Sequence, residues 1–521
     1  MTTELRTTAQ DAGVAASLPA RVVGLPMWRI ILLLALPVLG QQFLILAVSL
    51  SDRFLAGHYP ALPPEQQAEA LSQELLALGA ASSSGLAALV PLETARELAA
   101  RRVAYLSAQT TAQYLAWFIS SYTVLVSVGS TALVARFIGA GRKGKALRVT
   151  HQSLTLAVVL GLAASVLGLL FIEQLVRVLQ LRADAVEFAV AYLTPLFVLL
   201  VFQVVETAGI ACLVGAGDTV TGMIVTGCVA VVNVPLSWAF CLGLGPFPKM
   251  GFAGIALGTA LSHTLGCLAV LAVLARGRVG LKLGLRGFRP SWTLMVRLLR
   301  IGVPAGIDSL SVVAGQLWFL SIINELGDVA AGAHGIALIW EALAYLSGIA
   351  FGTAAMTLVG QNLGAGKPEE AARSGWYAFA IGAAVMTVMG TIFYVFAPQM
   401  FALFCPHPSQ QPVIAAGVPA LRLIAFAMPA LAACQIITYA LRGAGDTRMP
   451  VLYTWIGFLF IRIPLAYLLT KTTVELGMLG EISGMGLGLL GAWWAMFADL
   501  NVRGAFFIYR FASGRWQRIR V

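Results

Sequence analysis

The chain has 521 residues, 59% of them hydrophobic and 11% charged, against about 45–50% apolar and about 25% charged in an ordinary soluble domain. That excludes a soluble globular enzyme: at about 20 apolar residues per crossing, the length holds about twelve transmembrane helices and no separate catalytic or nucleotide-binding domain. The net charge of +11 is what cytoplasmic loops rich in Lys and Arg give a membrane protein, so nucleic acid is not expected as a partner.

Residues 1–28 contain Glu4 and Asp11 and no apolar core before Met27, so they read as a cytoplasmic tail, with the first span as an uncleaved anchor. Apolar runs of helical length then predict an all-α integral membrane protein. Its twelve spans fall near 29–56, 108–137, 150–175, 186–212, 220–243, 251–275, 297–323, 329–360, 373–398, 412–440, 449–470 and 484–509. With both termini inside, the inward segments carry 21 Lys and Arg and the outward ones 7, as the positive-inside rule requires. The spacing divides the chain into an N-lobe (29–275), a basic cytoplasmic linker (276–296), a C-lobe (297–511) and a basic tail (512–521). From Arg276 to Arg300 there are seven Arg and Lys and no acid. An insertion at 60–106 reads as two short amphipathic helices outside the membrane, or as an extension of the second span.

The chain repeats itself. Leu133 to Arg142 returns as Leu358 to Lys367, Leu213 to Thr219 as Leu441 to Thr447, Pro235-Leu236 as Pro464-Leu465, and Gly251 with Gly254 as Gly488 with Gly491. Six crossings per half relate the halves by an axis along the membrane normal and place a cleft between them, which suits a carrier that rocks to expose the cleft to each side in turn.

No Walker, HExxH, GxSxG or haem motif is present, so energy has to come from an ion gradient. The six cysteines include no CxxC pair, and neither a disulfide framework nor a metal site is expected. Ionisable residues inside the bilayer are then the candidates. In the first half these are Asp52 and Glu206; a carboxylate in a partly dry cavity is a group that a proton gradient can load and unload. In the second half Arg462 stands where the first carries Asn233, with Asp308, Glu341 or Asp499 available to neutralise it, so a structural ion pair is favoured there. Asp499 and Arg503, four apart, can pair on one helix face. The four Gly-Ala-Gly turns read as helix caps, and His263 and His334 as core or boundary residues. Tyr345, Trp117, Trp340, Tyr439, Trp493 and Trp494 offer walls for flat or cationic compounds, although anchoring or packing is the commoner fate of such rings.

Taken in order, Leu36-Pro37, Asp52 to Gly57, Thr131 to Gly141, Gly215 to Thr219, Asn233, Gly251 to Thr259, Gly335 to Leu338 with Glu341, Leu358 to Gly366 and Ala440 to Thr447 resemble the multidrug and toxic compound extrusion (MATE) family, in its DinF-like bacterial branch. The resemblance implies two pseudo-symmetric six-helix bundles and an antiporter in the bacterial inner membrane. It would export organic, often cationic or amphipathic compounds as a monomer, without a cofactor, in exchange for protons or sodium. The family's first-helix carboxylate falls on Asp52 and its fifth-helix Asn on Asn233. The Asp that commonly follows four residues later is Ser237 here, which leaves Thr259 as a remaining oxygen ligand and favours protons over sodium. Glu206 is our candidate to replace the missing acid. The alternatives are a sodium-coupled exporter, a flippase for lipid-linked precursors or polysaccharide from the same superfamily, and, from another class, a membrane-embedded enzyme.

Overall fold

The computed structural model describes residues 25–58, 121–178, 183–405, 407–475 and 481–519. The whole 60–106 insertion, the N-terminal tail through residue 24 and Trp117 therefore lie outside the described residues. The helices in chain order are α1 (Met27–His58), α2 (Ser121–Gly139), α3 (Lys143–Val178), α4 (Ala183–Gly215), α5 (Thr219–Leu242), α6 (Phe252–Ala275), α7 (Trp292–Asn324), α8 (Asp328–Gly364), α9 (Pro368–Ala402), α10 (Gln411–Ala425), α11 (Met428–Ala444), α12 (Arg448–Thr470) and α13 (Gly488–Ala512). Only helices satisfy every backbone group of such apolar segments without water. Ten of them are long and apolar enough to span alone, and α10 with α11 makes an eleventh, bent by 62°. The twelfth, α13, carries Asp499, Arg503 and Arg510 and packs on α12 and α10. The tenth span is thus a broken helix rather than the continuous 412–440 run expected, because Pro429 cannot donate into the preceding turn.

Two apolar cores result. One is built from α2 to α6, the other from α8 to α13. The first helix of each half divides its allegiance. Ile31, Leu34 and Ala35 of α1 lie in the second core while Leu55 lies in the first; Leu298, Ile301 and Ala305 of α7 lie in the first core while Phe319, Ile322 and Ile323 lie in the second. Each of these helices therefore begins in the core of the other half and ends in the core of its own.

The internal repeat is visible as repeated contacts. All four Gly-Ala-Gly turns close their helices with the second glycine at positive φ (71° at Gly141, 92° at Gly217, 73° at Gly366, 86° at Gly445). The next residue's N–H reaches back to a carbonyl five residues earlier, as Asp218 does to Leu213 and Asp446 to Leu441, both at 2.9 Å, which is the Schellman arrangement. Within each half, Gly215 lies against the Thr131 backbone and Gly443 against the Met356 backbone, at matching repeat positions. Between halves, Gly139 lies against the Gln361 backbone and Gly364 against the Arg136 backbone, a reciprocal crossing of α2 and α8. Gln361 Nε2 donates to Gly215 O at 3.0 Å, Thr357 Oγ1 to Val214 O at 3.2 Å, and Arg136 Nη2 to Ala444 O at 3.0 Å. The bundle is closed at this end.

The offset between repeats is 229 at Pro235/Pro464 and 237 at Gly251/Gly488. The extra length falls in the α12–α13 loop, where Thr473–Glu475 pairs antiparallel with Glu481–Ser483. The basic linker docks on α3: Gln152 Nε2 donates to Arg289 O at 3.0 Å and its Oε1 accepts from Ser291 N at 2.8 Å.

Candidate functional site

α5 and α6 pack closely because Gly254 and Gly258 of α6 face the α5 backbone near Phe240 and Ser237. This brings Asn233 and Ser237 of α5 against Thr259 and Ser262 of α6, one turn apart. α1 packs on α5 and inserts Asp52 into the same place. Asn233 Nδ2 donates to Thr259 Oγ1 (3.0 Å) and Ser262 Oγ (3.3 Å), and Thr259 Oγ1 lies 3.3 Å from Asp52 Oδ2. The Thr259 hydroxyl has a single proton, and the Ile255 carbonyl competes for it at 3.1 Å. Ser237 stands beside Asp52, with its hydroxyl donating to the same carbonyl at 3.2 Å. Asp52 is 7% exposed, and its Oδ1 has no hydrogen-bond partner. An ionised Asp52 has little to set against the loss of water: one long hydrogen bond and no cation within ion-pair distance among the described residues.

Sequence reasoning placed His263 in the core or at a boundary and missed its contact. Its Nδ1 lies 2.8 Å from Oε2 of the buried Glu206. The signal was the face of α6: Thr259, His263 and Gly266 stand at successive turns. Gly266 leaves room for the Glu206 carboxylate, since a Cβ there would lie 2.6 Å from Oε1. Glu206 is thus linked to the Asp52 neighbourhood through an imidazole, His263, which lies in the field of Asp52.

The second half has the same positions and the opposite chemistry. By the repeat offsets, Phe319 matches Asp52, Arg462 matches Asn233, Asp499 matches Ser262, Arg503 matches Gly266 and Cys434 matches Glu206. The weak neutral contact between Asn233 and Ser262 becomes an ion pair, with Arg462 Nε at 2.8 Å and Nη2 at 2.7 Å from Asp499 Oδ2. Arg503 closes on Asp499 from the other side, Nε to Oδ1 and Nη2 to Oδ2, both at 2.6 Å. Phe458 and Phe319 stack on the Arg462 guanidinium at 4.5 and 5.4 Å, and Gln316 Oε1 accepts from its Nη1 at 3.3 Å. A π-helical segment, Ile456–Arg462, carries the Arg, and a second, Ala433–Ile437, carries Cys434. Such segments shift side chains by part of a turn and are frequent at functional positions.

Of the three acids that could neutralise Arg462, Asp499 does so. Asp308 belongs elsewhere: its Oδ2 pairs with Arg442 Nη2 at 2.7 Å and its Oδ1 accepts from Thr454 Oγ1 at 2.6 Å. It lies about two to three turns before Gln316 and Phe319 on α7, roughly 12–16 Å away along the helix axis, too far to join them. Glu341 is in the electrostatic neighbourhood of Arg462, and its Oε2 is buried without a partner. His334 packs edge-on to Phe319 and Trp493 as a core residue. Among the aromatics, Trp493 is fully buried, Trp494 sits in a shallow outer groove with Leu423 and Phe426, Tyr439 packs against Gly352, and Tyr345 remains 39% exposed. Outside the membrane core, Asp218 pairs with Arg278 at 2.6 Å and Asp446 with Arg510 at 2.8 Å, so each Gly-Ala-Gly-Asp turn is pinned to its half's last helix or the residues just after it. Among the described residues no three His, Cys, Asp or Glu side chains converge as metal ligands.

The MatE family model matches residues 102–239 and 304–468, more than half of the chain. A probable multidrug resistance protein of Thermotoga maritima, NorM, is 28% identical over 77% of this chain and 83% of its own length. Multidrug resistance protein MdtK of Pectobacterium atrosepticum is 27% identical over 70% of this chain and 80% of its own. Among solved structures, a MOP superfamily transporter from Pyrococcus furiosus superposes with a TM-score of 0.79 at 20% identity, covering 96% of this chain and 98% of that one. A multidrug resistance MATE family transporter in an outward-facing conformation superposes with a TM-score of 0.77 at 21% identity and the same coverage.

Proposed function

The chain belongs to the MatE family of multidrug efflux transporters, and on that premise we propose that it is a proton-driven antiporter exporting small organic cations or amphipathic compounds across a bacterial inner membrane. Asp52 is the group that takes up and gives back the proton, with Glu206 assisting. One observation carries this reading. The three buried aspartates in the bilayer differ in partners: Asp308 and Asp499 are each locked by arginine, whereas Asp52 is held only by neutral groups and keeps one oxygen free. A carboxylate in an ion pair keeps its charge through the cycle. One without a counter-charge can be neutral in one state and charged in another at modest cost, and a cationic substrate can supply the missing counter-charge when the proton leaves.

The closed end supports alternating access. It carries the Gly-Ala-Gly turns and the docked basic linker, which the positive-inside rule puts on the cytoplasmic face with both termini. In that orientation inward opening has to part the reciprocal contacts of Gly139 with Gln361 and Gly364 with Arg136. Both halves of the pathway lie in one chain, so a monomer suffices. The loss of an acid at Ser237 favours protons, because a sodium ion needs several oxygen ligands around one point. In an efflux-deficient bacterial host, expression should raise the tolerated concentration of ethidium, and Asp52→Asn at equal membrane abundance should abolish the gain. A full gain from Asp52→Asn would overturn the reading.

A further inference from the structure

We propose that Glu206 and His263 form a second proton-carrying unit of the N-half site, so that each cycle exchanges two protons; this rests on the reading of Asp52 as the first. Glu206 Oε2 and His263 Nδ1 are 2.8 Å apart and can share one proton. The acid is sealed in the core, while the imidazole side chain keeps 28% of its surface exposed, so the proton enters and leaves through His263. Gly266 keeps the space for the carboxylate open. The C-half matches are Cys434 for Glu206, Leu500 for His263 and Arg503 for Gly266, so the dyad has no twin in the C-half.

The surrounding groups leave its charge uncompensated. α1 contributes Asp52, α5 contributes Val229, Asn233 and Ser237, and α6 contributes Thr259, Ser262 and Cys267. No Lys or Arg forms an ion pair with either carboxylate among the described residues. Thr259 and His263 occupy adjacent turns of α6, which puts the dyad and Asp52 on one face and within each other's field.

The charge balance follows. Loaded, the site holds a protonated Asp52 and one proton within the dyad, for a net charge of zero. Emptied, it holds two carboxylates and a neutral imidazole, for a net charge of minus two. A monovalent cation leaving against two entering protons moves one net positive charge inward per cycle, so exchange is driven by the membrane potential as well as by the pH gradient.

The test counts protons released when ethidium binds the purified full chain in weakly buffered detergent, with ethidium binding measured on the same samples. Glu206→Gln and His263→Gln should each release about half of what wild type releases, and Asp52→Asn the other half, since proton release and cation binding are linked. In proteoliposomes, ethidium exchange by wild type should quicken with an interior-negative potential set by potassium and valinomycin, and exchange by Glu206→Gln should not respond. Undiminished release and an unchanged potential response in both dyad variants, with release lost in Asp52→Asn, overturn the dyad and leave proton coupling standing. No release from wild type that has bound ethidium overturns proton coupling itself.

Discussion

Asp499→Asn should destabilise the protein far more than Asp52→Asn, although both remove a buried carboxylate charge from the same kind of position. Asp499 is 0% exposed and receives four charge-assisted contacts from Arg462 and Arg503 at 2.6–2.8 Å. Neutralising it takes from two buried guanidiniums the carboxylate they share, and breaking a buried pair from one side costs about 3–5 kcal/mol. At roughly 2–4 °C per kcal/mol for a folding unit of 150–250 residues, the melting temperature should fall by about ten degrees. Asp52 loses only a 3.3 Å hydrogen bond from a neutral hydroxyl, and the amide spares the site a poorly compensated charge; its melting temperature should stay within about two degrees of wild type, as for a change of about 0.5 kcal/mol. The assay is thermal unfolding in detergent followed by intrinsic fluorescence, with retention on size exclusion as a second probe. The two variants melting together would refute the assignment of the C-half cluster as a locked counterpart of the N-half site.

Gly139→Val and Gly364→Val should each slow efflux strongly with normal membrane abundance, because any side chain there meets the backbone of Gln361 or Arg136 and prevents closure; a cysteine placed near the closed end should become more reactive to an impermeant thiol reagent from the cytoplasmic side. Asp218→Asn should cost no more than about 1 kcal/mol, as its partner Arg278 is more than half exposed, and efflux should change little. Thr259→Val should lower efflux more than Ser262→Ala in the ethidium assay, since only Thr259 touches both Asp52 and Asn233.

The architecture was legible because its causes are local or repeated. Apolar length gives the spans, and two copies of the glycine-bearing motifs give the symmetry that reappears as Gly139 on Gln361 and Gly364 on Arg136. The i,i+4 pair of Asp499 and Arg503 could be read from one helix, and so could the caps at Gly217 and Gly445. What failed to show depends on contacts between distant segments. Asp308 finds Arg442 across 134 residues, and nothing near either residue names the other. Glu206 meets His263 only because α4 packs on α6 and Gly266 leaves room, and His263 alone looks like any half-buried histidine. The break before Pro429 has one local signal, that proline, inside a long and mostly apolar run. The π-helical turns carrying Arg462 and Cys434 have no signature in the sequence.

The most direct measurement of the central claim is ethidium efflux from proteoliposomes holding the purified chain, under an imposed pH gradient or an imposed sodium gradient, with wild type beside Asp52→Asn. The account predicts efflux driven by the pH gradient without sodium and lost in the variant. Efflux driven by sodium alone, or efflux by Asp52→Asn equal to wild type under the pH gradient, would contradict it.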